Sequence, residues 1–312
     1  MYDTVFFKIN QSEVKGVDFL SEIPNYLDRV GLHYYDGVPV ISGMVNNLSV
    51  TASQYQVKVK DGSLCKFLFG NNYNTMSRHD AQRAVEMLSD SLHLPMDKAT
   101  ITRLDFAQNF IMQYPLDVYY NHLGLLSRAQ RLQEPNGLYY KISGGRLCFY
   151  DKNREQRAHN EPIPPLYQNQ NVLRFEQRYL QRLPQRLHRP EVKGATLYDR
   201  VFYNDLLNRW RDGYKSIQKI NDKQPKFEIM STVRGTLLRA LATVIEQEGG
   251  EMTAIEKINE GYKTGKLSKK MAHDLRETVK RACAMARAEG IKPDFPIHEL
   301  DTKIDQAVRM YR

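Results

Sequence analysis

Two acidic residues interrupt otherwise apolar segments of the chain, Asp105 in ITRLDFAQNFI and Glu176 in NVLRFEQRYL. Period-two alternation puts Arg103 on the face of Asp105. It puts Val172, Arg174 and Arg178 on the face of Glu176, with Leu173, Phe175, Gln177 and Tyr179 opposite. A charge inside an apolar strand is costly unless it is paired, exposed or bound to a metal. Two intrastrand ion pairs are the plainer reading. The chemical reading is that both carboxylates project from rigid strands into one space, where they hold a divalent ion, Mg2+ or Mn2+, that polarises a phosphate.

The chain has nineteen tyrosines, and a nucleophilic tyrosine leaves no local signature. Tyr150, at the end of CFYDK, is set apart by Lys152 two residues on, which shares its face if the strand stays extended. An ammonium there stabilises a phenolate or the charge developing on a phosphate. The bland alternative is a strand-end tyrosine followed by a solvated lysine. Residues 171–220 then hold eleven Lys or Arg against five Asp or Glu, a net +6, with Tyr179, Tyr198, Tyr203, Trp210 and Tyr214 interleaved. Arg174, Arg178, Arg182 and Arg186, together with Arg103, suit phosphates, and the rings suit unpaired bases, although solvated charged faces share this composition. There is no His-x-His pair, no glycine loop ending in Lys-Ser/Thr and no Gly-x-Ser-x-Gly elbow, which disfavours an ATPase and a serine hydrolase.

The elements that must position these residues can be read from periodicity. VFFKI is a strand. Tyr55, Val57 and Val59 alternate before Asp61-Gly62, and the apolar run Leu64 to Phe69 reads as the returning strand of a hairpin. A helix fits Ala81 to Leu92, stopped by Pro95, and ITRLDFAQNFI follows as a buried strand. Pro115 opens a second helix through Leu126. LYYKI and RLCFY flank Ser143-Gly144-Gly145 as a hairpin, EPIPPLY is a loop, and NVLRFEQRYL is a strand. Beyond Pro190 the pattern turns helical: Leu197 to Trp210, then Ile229, Val233, Leu237, Leu241 and Val244. A capping box at Thr253 and Glu256 opens a short helix, and Ser268 caps a last one carrying Met271, Leu275, Val279 and Ala282, ended by Gly290. Two helices joined by a tight basic turn suit a DNA-reading pair as well as an ordinary bundle.

With 312 residues the chain can build two modest cores, and 41% hydrophobic with 26% charged residues is a globular balance. Its net charge of +9 points to a polyanionic partner. Cys65, Cys148 and Cys283 lack the spacing of a zinc or redox site and read as reduced thiols. The amino terminus is too polar and its apolar run too short for a signal peptide, and no stretch approaches a membrane span, so a soluble cytoplasmic protein without a membrane partner is expected.

In ITRLDFAQNF, LCFYDKNREQ and VLRFEQRYLQR, in that order, the chain resembles the gene-II-type replication proteins of filamentous phages and their plasmid relatives, the phage/plasmid II/X replication family. The likeness is good over about residues 100 to 182. It implies a site-specific nickase and ligase for rolling-circle replication. By the same likeness Tyr150 matches the nucleophile, Lys152 its lysine, and Asp105 and Glu176 the acidic positions assignable to a divalent metal. Asp151 stands where the phage motif is hydrophobic, and is either a further ligand or a solvated turn residue. The Rep-trans plasmid initiators share a Tyr-Asp-Lys-like segment while their nucleophile lies elsewhere, so Tyr198 and Tyr203 stay open.

The combined expectation is an α+β fold, an antiparallel sheet with two strand-helix-strand halves in a nickase domain over residues 1–190, and a helical DNA-binding or assembly region over 191–312. The partners expected are origin DNA, double-stranded and single-stranded, and a host helicase and polymerase; a homodimer stays open. The rival readings are a non-catalytic origin-binding accessory or repressor, and a plasmid mobilisation relaxase, the latter disfavoured by the missing histidine cluster.

Overall fold

The computed structural model describes residues 1–220, 233–247, 250–288 and 296–312. The chain divides into two compact units, one of Met1–Lys219 with Leu300–Arg312 and one of Ile220–Glu299. The first is mixed α/β and is built on a ten-stranded sheet. Its strands are β1 (Tyr2–Asn10), β2 (Asp28–Tyr35), β3 (Val38–Val45), β4 (Leu48–Ser53), β5 (Gln56–Lys60), β6 (Thr100–Met112), β7 (Gln130–Glu134), β8 (Gly137–Ile142), β9 (Gly145–Asp151) and β10 (Asn171–Tyr179). The order is β2-β3-β4-β5-β1-β6-β10-β9-β8-β7, and every neighbouring pair is antiparallel.

β6 is the longest strand and lies between β1 and β10. Opposite β1 it carries an extra residue: Phe7 pairs with Ile101 but Phe6 with Arg103, so Thr102 bulges and Thr100 and Arg103 face the same side. From there the alternation splits the sheet. Phe106, Phe110, Leu173, Phe175, Leu147 and Phe149 fill the apolar face, and Phe149 stacks on Phe175 at 4.4 Å between ring centroids. The helix α6 (Arg200–Lys215) covers them, with Trp210 4.8 Å from Phe175 and Tyr203 5.7 Å from Phe106. The opposite face carries Asp105, Arg174, Glu176 and Arg178.

The expected strands and the hairpin around Gly144 are present, as is the helix in the eighties, α2 (Arg78–Leu92), opened by a Ser77–Asp80 capping box. The run Leu64 to Phe69 is not a strand. It is the helix α1, because the Ser63 hydroxyl accepts from the Lys66 amide and Gly70, at φ 74°, supplies the left-handed C-cap. The hairpin partner of β5 is β4 instead. Helix α3 (Leu116–His122) stops before Leu126, since Leu123 is extended and its carbonyl accepts from Arg131 and Tyr140. The helix expected from Leu197 begins only at Arg200. Residues Gly194–Tyr198 form a 3-10 turn, and Asp199 caps α6 through a 2.7 Å bond from the Phe202 amide.

The second unit contains α7 (Val233–Gln247), α8 (Gly250–Lys263) and α9 (Lys269–Ala288), packed through Ala242, Ile245, Val279 and Ala282. Thr253 and Glu256 lie inside α8, which starts at Gly250, so they are not its capping box. Ser268 does cap α9, accepting from the Met271 amide at 3.2 Å. Ile229 and Gly290 lie outside the described residues. The last helix is α10 (Pro296–Tyr311), whose Asp301 accepts from Tyr214 at 2.7 Å.

Candidate active site on the polar face of the sheet

Register brings the candidate residues together. β10 pairs Arg178 with Asp105 and Glu176 with Ala107 on one side, and Glu176 with Cys148 and Arg174 with Tyr150 on the other. The two acids and Tyr150 therefore project from three adjacent strands on one face.

Both carboxylates are buried, at 1% exposure each. Asp105 accepts from Arg103, Nε at 3.1 and 3.2 Å and Nη2 at 2.5 Å, with Arg178 Nε 4.0 Å away. Glu176 Oε2 accepts from Arg178 Nη2 at 2.9 Å and from the Tyr150 hydroxyl at 3.3 Å. The intrastrand ion pairs read from sequence are thus present, and they coexist with the tyrosine–carboxylate contact. Burial first, then the charge of Glu176, pushes the Asp105 carboxyl up to about 8 against the pull of Arg103 and Arg178. Burial and then Glu176 likewise raise the Tyr150 phenol well above its ordinary value, with Arg174 opposing.

Arg174 anchors the site from below. It bonds Asp3 at 2.6 Å, Asn109 at 3.0 Å and the Asn72 carbonyl at 3.2 Å, and Asp3 in turn accepts from Ser63 at 2.5 Å. Burial alone would raise Asp3, but Arg174, the Ser63 hydroxyl and Lys152 outweigh it and hold the carboxyl down at about 2. Sequence reasoning misses Asp3 and Asn109; the one available signal is a charge just ahead of the apolar strand VFFKI.

Lys152 departs from its expected place. β9 ends at Asp151, whose side chain caps the helix α4 (Lys152–Ala158) by accepting from the Arg154 amide at 2.9 Å. Lys152 is therefore the first residue of a helix and not a continuation of the strand, and its charge acts on Asp3 and Arg174, which also act on Tyr150. Its ammonium, fully buried, pairs with Glu155 at 2.6 Å and lies 5.7 Å over the Tyr73 ring. Arg182 and Arg186 lie past the end of β10, at the two ends of the single turn α5 (Leu183–Arg186); Arg182 is exposed and Arg186 stacks over Tyr179 at 5.9 Å. Tyr203 packs against Tyr2 and Phe106 on the apolar face, and the charges acting on Tyr198 are Asp97 and Glu86, so neither joins the carboxylates. Cys65, Cys148 and Cys283 are free thiols, the first two buried, and burial pushes Cys148 up to about 12.

Among the described residues no group of three or more His, Cys, Asp or Glu could hold a metal ion. Asp105 and Glu176 supply two carboxylate donors, and the charge of Glu176, second to burial in raising the Asp105 carboxyl, is a repulsion that a cation shared by the two would relieve. Two carboxylates with substrate phosphate and water completing the shell is the way Mg2+ is commonly bound, so the donor set fits a hard divalent ion.

No curated protein sequence matches the chain. A family model for the amino-terminal part of the phage gene-II replication-associated protein matches residues 1–200, which include every strand of the sheet, Asp105, Tyr150 and Glu176. With that match over most of its length, the chain belongs to the phage replication-associated protein family of the gene-II type and has a replication-initiator role.

Proposed function

We propose that the protein is a rolling-circle replication initiator that cuts one DNA strand at a defined site and later reseals it, with Tyr150 as nucleophile. The observation that carries this reading is the Tyr150 hydroxyl 3.3 Å from Glu176 Oε2, beside Asp105, in a chain of this family. In the forward step Tyr150 Oη forms a bond to the scissile phosphorus and its proton passes to Glu176. The bond from phosphorus to the 3′ oxygen breaks, and solvent protonates that oxygen to the 3′ hydroxyl that primes a host polymerase. The 5′ end stays as a phosphotyrosine, so attack by a new 3′ hydroxyl closes a strand without nucleotide hydrolysis. Host helicase supplies unwinding.

Asp105 and Glu176 would hold Mg2+ or Mn2+, which when bound supplies Lewis-acid polarisation of the phosphate. Arg103 and Arg178, each about one quarter exposed, pair with the carboxylates and turn to phosphate oxygens when DNA arrives. Arg174 holds the floor under Tyr150, and Lys152 fixes the start of α4 and with it the end of β9. Arg182 and Arg186 are placed to meet DNA beyond β10. The helices leading into β6 and the α4 link from β9 to β10 suit two strand-helix-strand halves of an initiator-type nuclease domain, and the helical second unit suits binding of double-stranded origin DNA or assembly.

The test is incubation with labelled single-stranded origin DNA, with and without Mn2+, followed by a denaturing gel. A metal-dependent covalent adduct that is lost in Tyr150→Phe and Glu176→Ala supports the reading. The ion pairs of both acids favour a second one, a non-catalytic origin-binding protein, and DNA binding without adduct or nick would establish it.

A further inference from the structure

The polar face carries a second cationic group, away from the carboxylates. Register places Ser42 of β3 opposite Thr51 of β4, Thr51 opposite Lys58 of β5, Lys58 opposite Lys8 of β1, and Lys8 opposite Thr100 of β6. Directly opposed residues project from one face, with Cβ atoms about 5 Å apart, and like charges so placed repel. Lys60, two residues along β5, faces the same way. All three lysines are partly exposed, and no salt bridge or side-chain hydrogen bond among the described residues engages them. The repulsion is unrelieved within the described chain, and an external anion would relieve it.

Between this row and Asp105 stands Phe6, partly exposed, with the Arg103 guanidinium 5.0 Å from its ring centre. Beyond Glu176 on the other side, Arg146 lies 5.9 Å over Tyr139, with the exposed Lys141 next to it in register. Cation–aromatic pairs therefore flank the carboxylates along one open sheet surface. Strand rise and spacing put Lys8 roughly 15 Å from Asp105, too far to share its phosphate and within reach of one a few nucleotides away.

We infer that Lys8, Lys58 and Lys60 form a phosphate-binding row for single-stranded DNA flanking the scissile position, with Phe6 as a platform for an unpaired base between. A single strand fits better than a duplex, because only an unpaired base can lie flat on a ring within a sheet face. The inference rests on the function proposed above.

The experiment is equilibrium binding of a fluorescent single-stranded oligonucleotide to the full chain without metal, over a series of salt concentrations. Lys8→Gln/Lys58→Gln is expected to bind about tenfold more weakly, with a log–log salt slope flatter by about 1.4, two contacts at about 0.7 each. Its melting temperature should not fall, since a repelling pair is removed; Lys8→Arg/Lys58→Arg should keep affinity and slope. Lys15→Gln/Arg200→Gln, which removes the same charge at exposed positions off this face, should change affinity less than twofold. Unchanged binding in the Lys→Gln pair, an equal loss in the control pair, or a loss on duplex DNA alone would overturn the inference. Adduct formation by the unaltered chain judges the proposed function separately, because the lysine row is read from binding curves and requires no cleavage.

Discussion

Asp105 is the residue at which stability and chemistry pull apart. Its carboxyl sits near 8 in the folded chain against about 4 for an ordinary aspartate. Between those values the unfolded chain has already released the proton that the folded chain still holds. The stabilisation is therefore complete below about pH 4 and is lost as pH rises towards 8. Asp105→Asn is expected to stabilise the metal-free protein by on the order of 1 kcal/mol at pH 8 and to abolish nicking, as read by thermal melts in chelator and by gel. A lower melting temperature at pH 8 would instead give the Arg103 ion pair the larger share. Metal affinity should also climb from pH 6 to 8 as Asp105 deprotonates, which a Mn2+ titration of the melting temperature would follow. Asp3 behaves in the opposite sense: its depressed carboxyl stabilises the fold above about pH 4, and that contribution disappears as pH falls towards 2. Asp3→Ala leaves Arg174 buried with its strongest partner gone and should cost about 3–5 kcal/mol, measured by urea denaturation.

At the scale of elements, the site depends on how closely β8 and β9 approach. Gly137 of β8 lies opposite Tyr150, and a Cβ there would sit 2.4 Å from the Phe149 carbonyl oxygen and 2.8 Å from Tyr150 Cβ. Both contacts are with backbone or the stem of a packed side chain, so β9 must move. Gly137→Ala should destabilise by about 1–3 kcal/mol and slow adduct formation while DNA binding persists. Much of this layer is legible in sequence. β6 and β10 declare themselves because an alternating strand with charge on one face and aromatics on the other has few other folds open to it. Leu64 to Phe69 misleads because six apolar residues carry no period, and only Ser63 and Gly70, the caps at either end, distinguish helix from strand. At Lys152 alternation runs one residue past a strand end that Asp151 closes by capping α4, so the lysine reaches its neighbours from a helix and not from the strand. The bulge at Thr102 and the pairing of β1 with both β5 and β6 depend on contacts between residues far apart in the chain, to which periodicity is blind.

Across the whole molecule, the family match and the sheet geometry meet on one face, where three adjacent strands carry Asp105, Tyr150 and Glu176. Tyr150 is legible as a candidate from CFYDK, but its partner is not, because the Glu176 contact arises from β9–β10 register while Lys152 is the nearer group along the chain. Among the described residues no helix is long and apolar enough to cross a membrane, and the net charge of +9 agrees with a polyanionic partner. The most direct test of the central claim is to form the adduct on single-stranded origin DNA with Mn2+, digest it with nuclease and trypsin, and identify the modified peptide by mass spectrometry. Cleavage after Arg146 and Lys152 releases Leu147–Lys152, in which Tyr150 is the single tyrosine. A nucleotide on that peptide is the expected result. A nucleotide on the peptide containing Tyr198 or Tyr203 would contradict the assignment of Tyr150, and an unmodified digest from protein that binds the DNA would contradict the nickase itself.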